Sequence, residues 1–250
     1  MISSTEFAGR TAFVTGAGTG IGAATSIALA AHGAQVALFG RRSPALETTA
    51  AAIAQAGGNA LVIAGDVSDP SDVEQAVQQT VRTYGNLHMA VNNAGVDGGT
   101  QRLVDVSVES WNETIGINLS GVFFGLKYEI PAMIAAGGGA IVNVSSVFSD
   151  RGLVQHAPYT ASKHGVHGLT RAAAQDYAAE NIRINELLPG VIDTPMLDTN
   201  RAMVNQMTAF IPLRRLGLPA EVARTICFML SDAASYMTGA RVAVDGGFLI

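Results

Sequence analysis

Seven short apolar runs recur along the chain, separated by segments of helical composition, and this alternation restricts the fold more than any other feature. The runs are "TAFVTG" (11–16), "AQVALFG" (34–40), "NALVIAGDV" (59–67), "LHMAVNNAG" (87–95), "GGGAIVNVSS" (137–146), "NIRINELLPG" (181–190) and "ARVAVDGG" (240–247). Between them lie "IGAATSIALAAHG" ending at Gly33, "SPALETTAAAIAQAGG" with Pro44 near its start, a segment from Pro70 to Tyr84, a long stretch from about Ser107 to Ala136, the segment around "PYTASKHG", and "PAEVARTICFML". Near-continuous Val/Ile/Leu runs joined through helices are the signature of parallel strands buried on both faces, since a parallel pair needs a crossover. The expected fold is therefore α/β: a doubly wound, seven-stranded parallel sheet with helices on both faces.

With 250 residues, 48% of them hydrophobic, and no linker, repeat or low-complexity segment, the chain is expected to be one domain spanning 1–250. Only 14% of residues are charged and the net charge is -5, which argues against nucleic acid and anionic membranes and for a small partner. Cys227 is the single cysteine, and the opening residues carry neither the basic cluster nor the apolar block of a signal peptide, so a cytoplasmic location is expected. Residues 193–217 form the one long stretch without a clear strand or strong helix; Met196, Met203, Met207 and Phe210 make it apolar, and a substrate lid is expected there.

In a doubly wound sheet, ligands sit beyond the carboxyl ends of the strands. "TGAGTGIG" places Gly16, Gly20 and Gly22 between the first strand and its helix, where absent Cβ atoms let backbone N–H groups and the helix N-terminus approach a pyrophosphate. Taken singly, Asp66 in "GDVSD" and Asn93 with Gly95 in "NNAG" read first as turn formers; at strand ends they are also placed for an adenine amino group and an adenosine ribose. The second strand ends in Gly40 followed by Arg41 and Arg42. An acidic residue there would suit a ribose 2′-hydroxyl; a glycine and two guanidinium groups suit a 2′-phosphate.

"YTASK" sets Tyr159 four residues ahead of Lys163, one of only two lysines, so both side chains leave one face of a helix. Moving a phenol from about pH 10 to about pH 7 requires about 4 kcal/mol. An ammonium about 4 Å away supplies about that much at an effective dielectric of about 20. His164 and His167, three apart, lack a local carboxylate or cysteine to complete a metal site, and no GxSxG elbow marks a serine hydrolase.

Taken together and in order, "TGAGTGIG", "NNAG", "IGIN", "VSSV", "YTASK", "LPGVIDTPM" and "TGARVAVDGG" resemble the short-chain dehydrogenase/reductases over nearly the whole chain. The resemblance implies a Rossmann fold and an oxidoreductase that moves a hydride between a nicotinamide cofactor and a secondary alcohol or ketone. By position it implies Asn118, Ser146, Tyr159 and Lys163 as the catalytic residues; Ser146 is preferred to Ser145 because it lies thirteen residues ahead of Tyr159. For the cofactor it implies, besides the glycines and arginines above, Thr19, Ile21, Asp66, Val67, Asn93, Ala94, Gly95, Pro189, Gly190, Ile192 and Thr194, with Lys163 on the ribose hydroxyls. The expected pocket is walled by Val147, Phe148, Leu153, Val154, Val191 and the lid methionines, with Asp97, Arg151 and His156 as its polar members. NADP(H) is the expected cofactor, with NAD as the alternative, and a homotetramer the expected assembly. The alternative activity is 3-oxoacyl-[acyl-carrier-protein] reduction, disfavoured because Gly137–Gly139 and Glu180 stand where basic residues would dock the acidic carrier; a non-catalytic dinucleotide sensor is the remote one.

Overall fold

A computed structural model describes residues 3, 5–200, 204 and 207–250, with the backbone alone for 198–200. Its seven strands are β1 Thr11–Thr15, β2 Gln35–Gly40, β3 Asn59–Ala64, β4 Met89–Asn92, β5 Gly139–Val144, β6 Ile182–Pro189 and β7 Arg241–Val244. All pairs are parallel and the order is β3-β2-β1-β4-β5-β6-β7. The connection after β3 returns across β1 to lay down β4. A crevice therefore opens at the carboxyl ends of β1 and β4, where the winding direction reverses.

Each crossover is a helix with a local reason to begin. The helices are α1 Gly20–Ala31, α2 Ser43–Gln55, α3 Pro70–Tyr84, α4 Val108–Ile115, α5 Gly121–Ala135, α6 Ala157–Tyr177 and α7 Pro219–Leu230. Asp69 caps α3 by accepting from Ser71 N–H at 2.8 Å, Pro70 opens it without a wasted donor, and Gly85 closes it at φ +89°. The predicted long helix after β4 is two helices joined by a π-helical segment, Gly116–Ser120, with Asn118 at its centre. One extra residue per turn there shifts the Asn118 side chain inward, and such bulges cluster at functional sites.

The sheet separates two apolar layers. Leu29 of α1, Leu46 and Ile53 of α2 and Val222 and Ile226 of α7 cover one face; Val73 and Val77 of α3, Leu126 and Ile130 of α5 and Val166 of α6 cover the other. Within the second layer lies a polar inclusion that the sequence did not announce. Asn92 of β4 donates to Glu129 Oε2 of α5 at 3.1 Å and to Asn143 Oδ1 of β5 at 3.0 Å, and Asn143 donates to Thr170 Oγ1 of α6 at 2.9 Å. Burial pushes the Glu129 carboxyl up to about 8, the Asn92 hydrogen bond opposing the rise.

Glu129 therefore holds its proton more tightly folded than unfolded. Its contribution to stability is complete below about pH 4.5 and is lost as pH rises through about 8. Glu129→Gln, which keeps the shape without the titration, is expected to flatten the decline of stability over that window, a difference on the order of 4 kcal/mol by its upper end. Thermal unfolding of both proteins from pH 5 to pH 9 is the check; parallel curves would show that Glu129 does not titrate there.

Candidate active site

The crevice gathers the ends of four strands. At β1 the chain turns through Gly16 and Gly20, both with positive φ (+64° and +56°). A Cβ on Gly16 would stand 2.8 Å from Asn93 Nδ2 and 2.9 Å from Ala94 Cα, and one on Gly20 would stand 3.1 Å from the Thr194 methyl. A Cβ on Gly22 would collide with the Gly16 carbonyl. Thr19 precedes α1 without capping it, so the first-turn N–H groups of that helix carry no side-chain partner. An uncapped helix N-terminus behind a side-chain-free turn fits a pyrophosphate.

The end of β4 is tied to that turn. Thr15 Oγ1 accepts from Asn93 N–H at 2.9 Å and from Ala94 N–H at 3.0 Å, and Asn93 Nδ2 donates to the Thr15 and Gly16 carbonyls at 3.0 and 3.3 Å. Asn93 thus holds the turn in shape, while Ala94 and Gly95 lead to Asn118. There Oδ1 accepts from Val96 N–H and Nδ2 donates to the Val96 carbonyl, both at 2.8 Å, with a third bond from Nδ2 to Ser162 Oγ at 3.2 Å. The Asn118 side chain is a clamp between the loop after β4 and α6.

Ser145 and Ser146 end the fifth strand, and their surroundings separate their roles. Ser145 Oγ donates to the Lys163 carbonyl at 3.2 Å, whereas Ser146 Oγ accepts only from Phe148 N–H at 3.2 Å and lies against Tyr159. Tyr159 and Lys163 occupy the first two turns of α6, with the ammonium 5.7 Å from the phenol ring centre. Lys163 is buried, Nζ donates to the Val144 carbonyl at 3.0 Å, and burial pulls the ammonium down to about 8, with Glu186 acting to raise it. It remains the main form at neutral pH. Burial pushes the Tyr159 phenol up; the Ser146 hydroxyl opposes the rise and the Asp97 charge adds to it. The Lys163 charge on the same helix face favours the phenolate and so acts against the effect of burial.

The remaining expected residues divide. Arg41 pairs with Asp66 at 3.7 Å, Arg42 donates to Thr19 Oγ1 at 3.4 Å, and both arginines are exposed beside Gly40, where a Cβ would find only ordinary contacts. Val67 is buried against Gly121, Pro189 and Gly190 end β6, and Ile192 bridges to Gly217. His156 is a buried strut: Nδ1 donates to the Val154 carbonyl at 2.9 Å and Nε2 meets Thr100 Oγ1 at 3.3 Å, joining the loop before α6 to the one after β4. Of the expected walls, Val147 is wholly buried and offers no surface, and Val154 is 82% exposed on the outer side. Phe148, Leu153 and Val191 sit near the crevice, Met196 is half-exposed, Met207 joins the apolar cluster of Val191, Val204 and Ile211, and Met203 lies outside the described residues. Asp97 turns on its own loop by accepting from Gly99 N–H. Sequence reasoning missed Phe248, whose ring meets Phe148 edge-on at 5.8 Å and carries the Arg151 guanidinium 5.2 Å above it. Its only signal was the apolar tail "GGFLI". Among the described residues no three His, Cys, Asp or Glu side chains converge as a metal site requires.

A family model described as enoyl-(acyl carrier protein) reductase matches residues 16–249. The cyclohexanol dehydrogenase of Acinetobacter sp. strain SE19 is 41% identical over 247 residues, covering 99% of this chain and 98% of that protein. The chain is a short-chain dehydrogenase/reductase. It is also 43% identical to cis-4-hydroxycyclohexanecarboxylate dehydrogenase of Sinomonas cyclohexanicum, over 97% of both chains. Among solved structures it resembles, at 35% identity and a TM-score of 0.89 over 98% of both chains, a candidate 2-deoxy-d-gluconate 3-dehydrogenase from Agrobacterium tumefaciens with NADP bound. As a member of this family it is a short-chain alcohol dehydrogenase or ketone reductase using a nicotinamide cofactor.

Proposed function

We propose that this dehydrogenase interconverts a secondary alcohol on a six-membered carbon ring and the corresponding ketone, with NADP(H) preferred. The observation that carries the reading is the meeting of Ser146, Tyr159 and the buried ammonium of Lys163 at the ends of β5 and α6. Ser146 Oγ holds the substrate oxygen; Tyr159 exchanges a proton with that oxygen; Lys163 stabilises the phenolate. Lys163 also lies where it can hold ribose hydroxyls, because a Cβ on Gly95 would come within 3.7 Å of Nζ. Bound in the crevice, the nicotinamide dinucleotide would supply the hydride acceptor or donor and, oxidised, a positive charge that favours the phenolate. The Phe148–Phe248 pair suits an apolar ring, and the two ring-alcohol dehydrogenases above favour that substrate class.

The segment 193–217 serves as the lid. Its ends meet at the Ile192–Gly217 bridge, Leu213 and Arg215 help line a cavity of about 100 Å³, and Leu213 N–H donates to the Gly246 carbonyl of the tail at 3.2 Å. Sheet, helices and lid form one domain. The assembly is a homotetramer, supported by Trp111, Phe123 and Ile134 exposed on α4 and α5 and by the exposed Ile250; sedimentation showing a monomer alone counts against it.

Tyr159→Phe is expected to lower kcat by at least about 100-fold while leaving dinucleotide affinity nearly unchanged. Near-normal turnover of cyclohexanol would remove Tyr159 from the chemistry. The cofactor preference rests on Arg41, Arg42 and the absence of an acidic side chain at Gly40. Arg41→Ala is expected to weaken NADPH by about 1.5 to 3 kcal/mol while barely affecting NADH. Gly40→Asp should invert the preference by adding repulsion. A higher kcat/KM with NADH than with NADPH in the unmodified enzyme would contradict this part of the reading.

A further inference from the structure

Glu186 sits in the middle of β6 with no solvent exposure, among Leu187, Leu188 and Ile184, and the reaction as read above does not use it. An unpaired carboxylate in such a place is strongly unfavourable, so its partners reveal what it holds. Oε2 accepts from His167 Nδ1 of α6 at 2.8 Å and from Arg241 Nε of β7 at 3.0 Å; Oε1 has no partner among the described residues. His167 lies four residues beyond Lys163 and eight beyond Tyr159, so one helical face carries all three.

Arg241 extends the contact to the other half of the site. Its Nη2 donates to Ser149 Oγ at 2.8 Å, and its Nη1 pairs with Asp150 at 2.5 Å. Ser149 Oγ in turn donates to the Ser146 carbonyl at 2.7 Å. We propose that Glu186 is a positioning residue, a buried carboxylate that fixes the turn bearing Ser146 against the helix face bearing Tyr159 and Lys163. This rests on the reading of those three residues as the reacting groups. The charged or titratable groups facing Glu186 are His167 and Lys163 from α6 and Arg241 from β7, with Asp150 behind Arg241; β5 places the neutral Asn143 beside it. The carboxylate also favours the charged form of Lys163, opposing the effect of burial.

Glu186→Gln keeps the shape and removes the charge. It is expected to lower kcat between about 10- and 100-fold with the dinucleotide dissociation constant unchanged, the size of effect that a small misplacement of reacting groups produces. The alkaline limb of the rate–pH profile, where the Lys163 ammonium is lost, should move to lower pH. Ser149→Ala cuts the link to Ser146 while leaving the carboxylate in place; it should lower kcat without moving that limb. Wild-type kcat and an unmoved limb in folded Glu186→Gln would overturn the proposal. Wild-type kcat in Ser149→Ala would also overturn it, and that variant decides the matter if Glu186→Gln does not fold. Tyr159→Phe measured alongside separates the two levels: an active Tyr159→Phe defeats the reading of the reaction itself, whereas an inactive one with wild-type Glu186→Gln defeats the positioning role alone.

Discussion

An ammonium group held away from water is costly, and much of the site is organised around keeping the one on Lys163 charged. Burial lowers it to about 8, the Val144 carbonyl accepts one of its protons, and the Glu186 carboxylate acts in the opposite direction to burial. The group stays charged at neutral pH with little margin. That margin is where its chemical value lies, because a charge in low-dielectric surroundings acts on a neighbouring phenol far more strongly than one in water. The phenol is not yet acidic in the protein alone, since its own burial dominates.

Geometry supports this electrostatic arrangement through cross-links between strand ends. Thr15 and Asn93 tie the first turn to β4, Asn118 clamps the next loop to α6, Ser145 bonds the Lys163 carbonyl, and His156 braces the loop before α6. These are polar side chains whose hydrogen bonds join the ends of different elements in a largely buried place. The π-helical turn at Gly116–Ser120 belongs to this set, because it swings Asn118 inward to reach Val96. Reaction groups on rigid elements, held by a ring of such bonds, keep their separations through turnover.

The sheet and the positions of its helices were legible because their causes are local. Seven apolar runs with turn residues at their ends leave a parallel, doubly covered sheet as the economical solution, and every predicted strand is present in that role. The glycine turn and the Tyr159–Lys163 spacing were legible for the same reason. What escaped depends on contacts between distant residues. Glu186 and Arg241 lie 55 residues apart, and Asn92 and Glu129 lie 37 apart, so neither buried carboxyl group could be matched to its partners from spacing. The exposure of loop side chains could not be read from spacing either, because it is set by tertiary packing. Val147 points into the core, Val154 points out, and Phe248 arrives from the far end of the chain.

The central claim is a direct hydride transfer between a ring carbinol carbon and the cofactor, with Tyr159 handling the proton. The most direct measurement is the oxidation of cyclohexanol carrying deuterium on the carbinol carbon, with the reduced dinucleotide recovered and examined by mass spectrometry. The account predicts that the deuterium appears in the dinucleotide and that turnover slows by a primary isotope effect when chemistry limits the rate. Oxidation to the ketone with the deuterium released to solvent would contradict it.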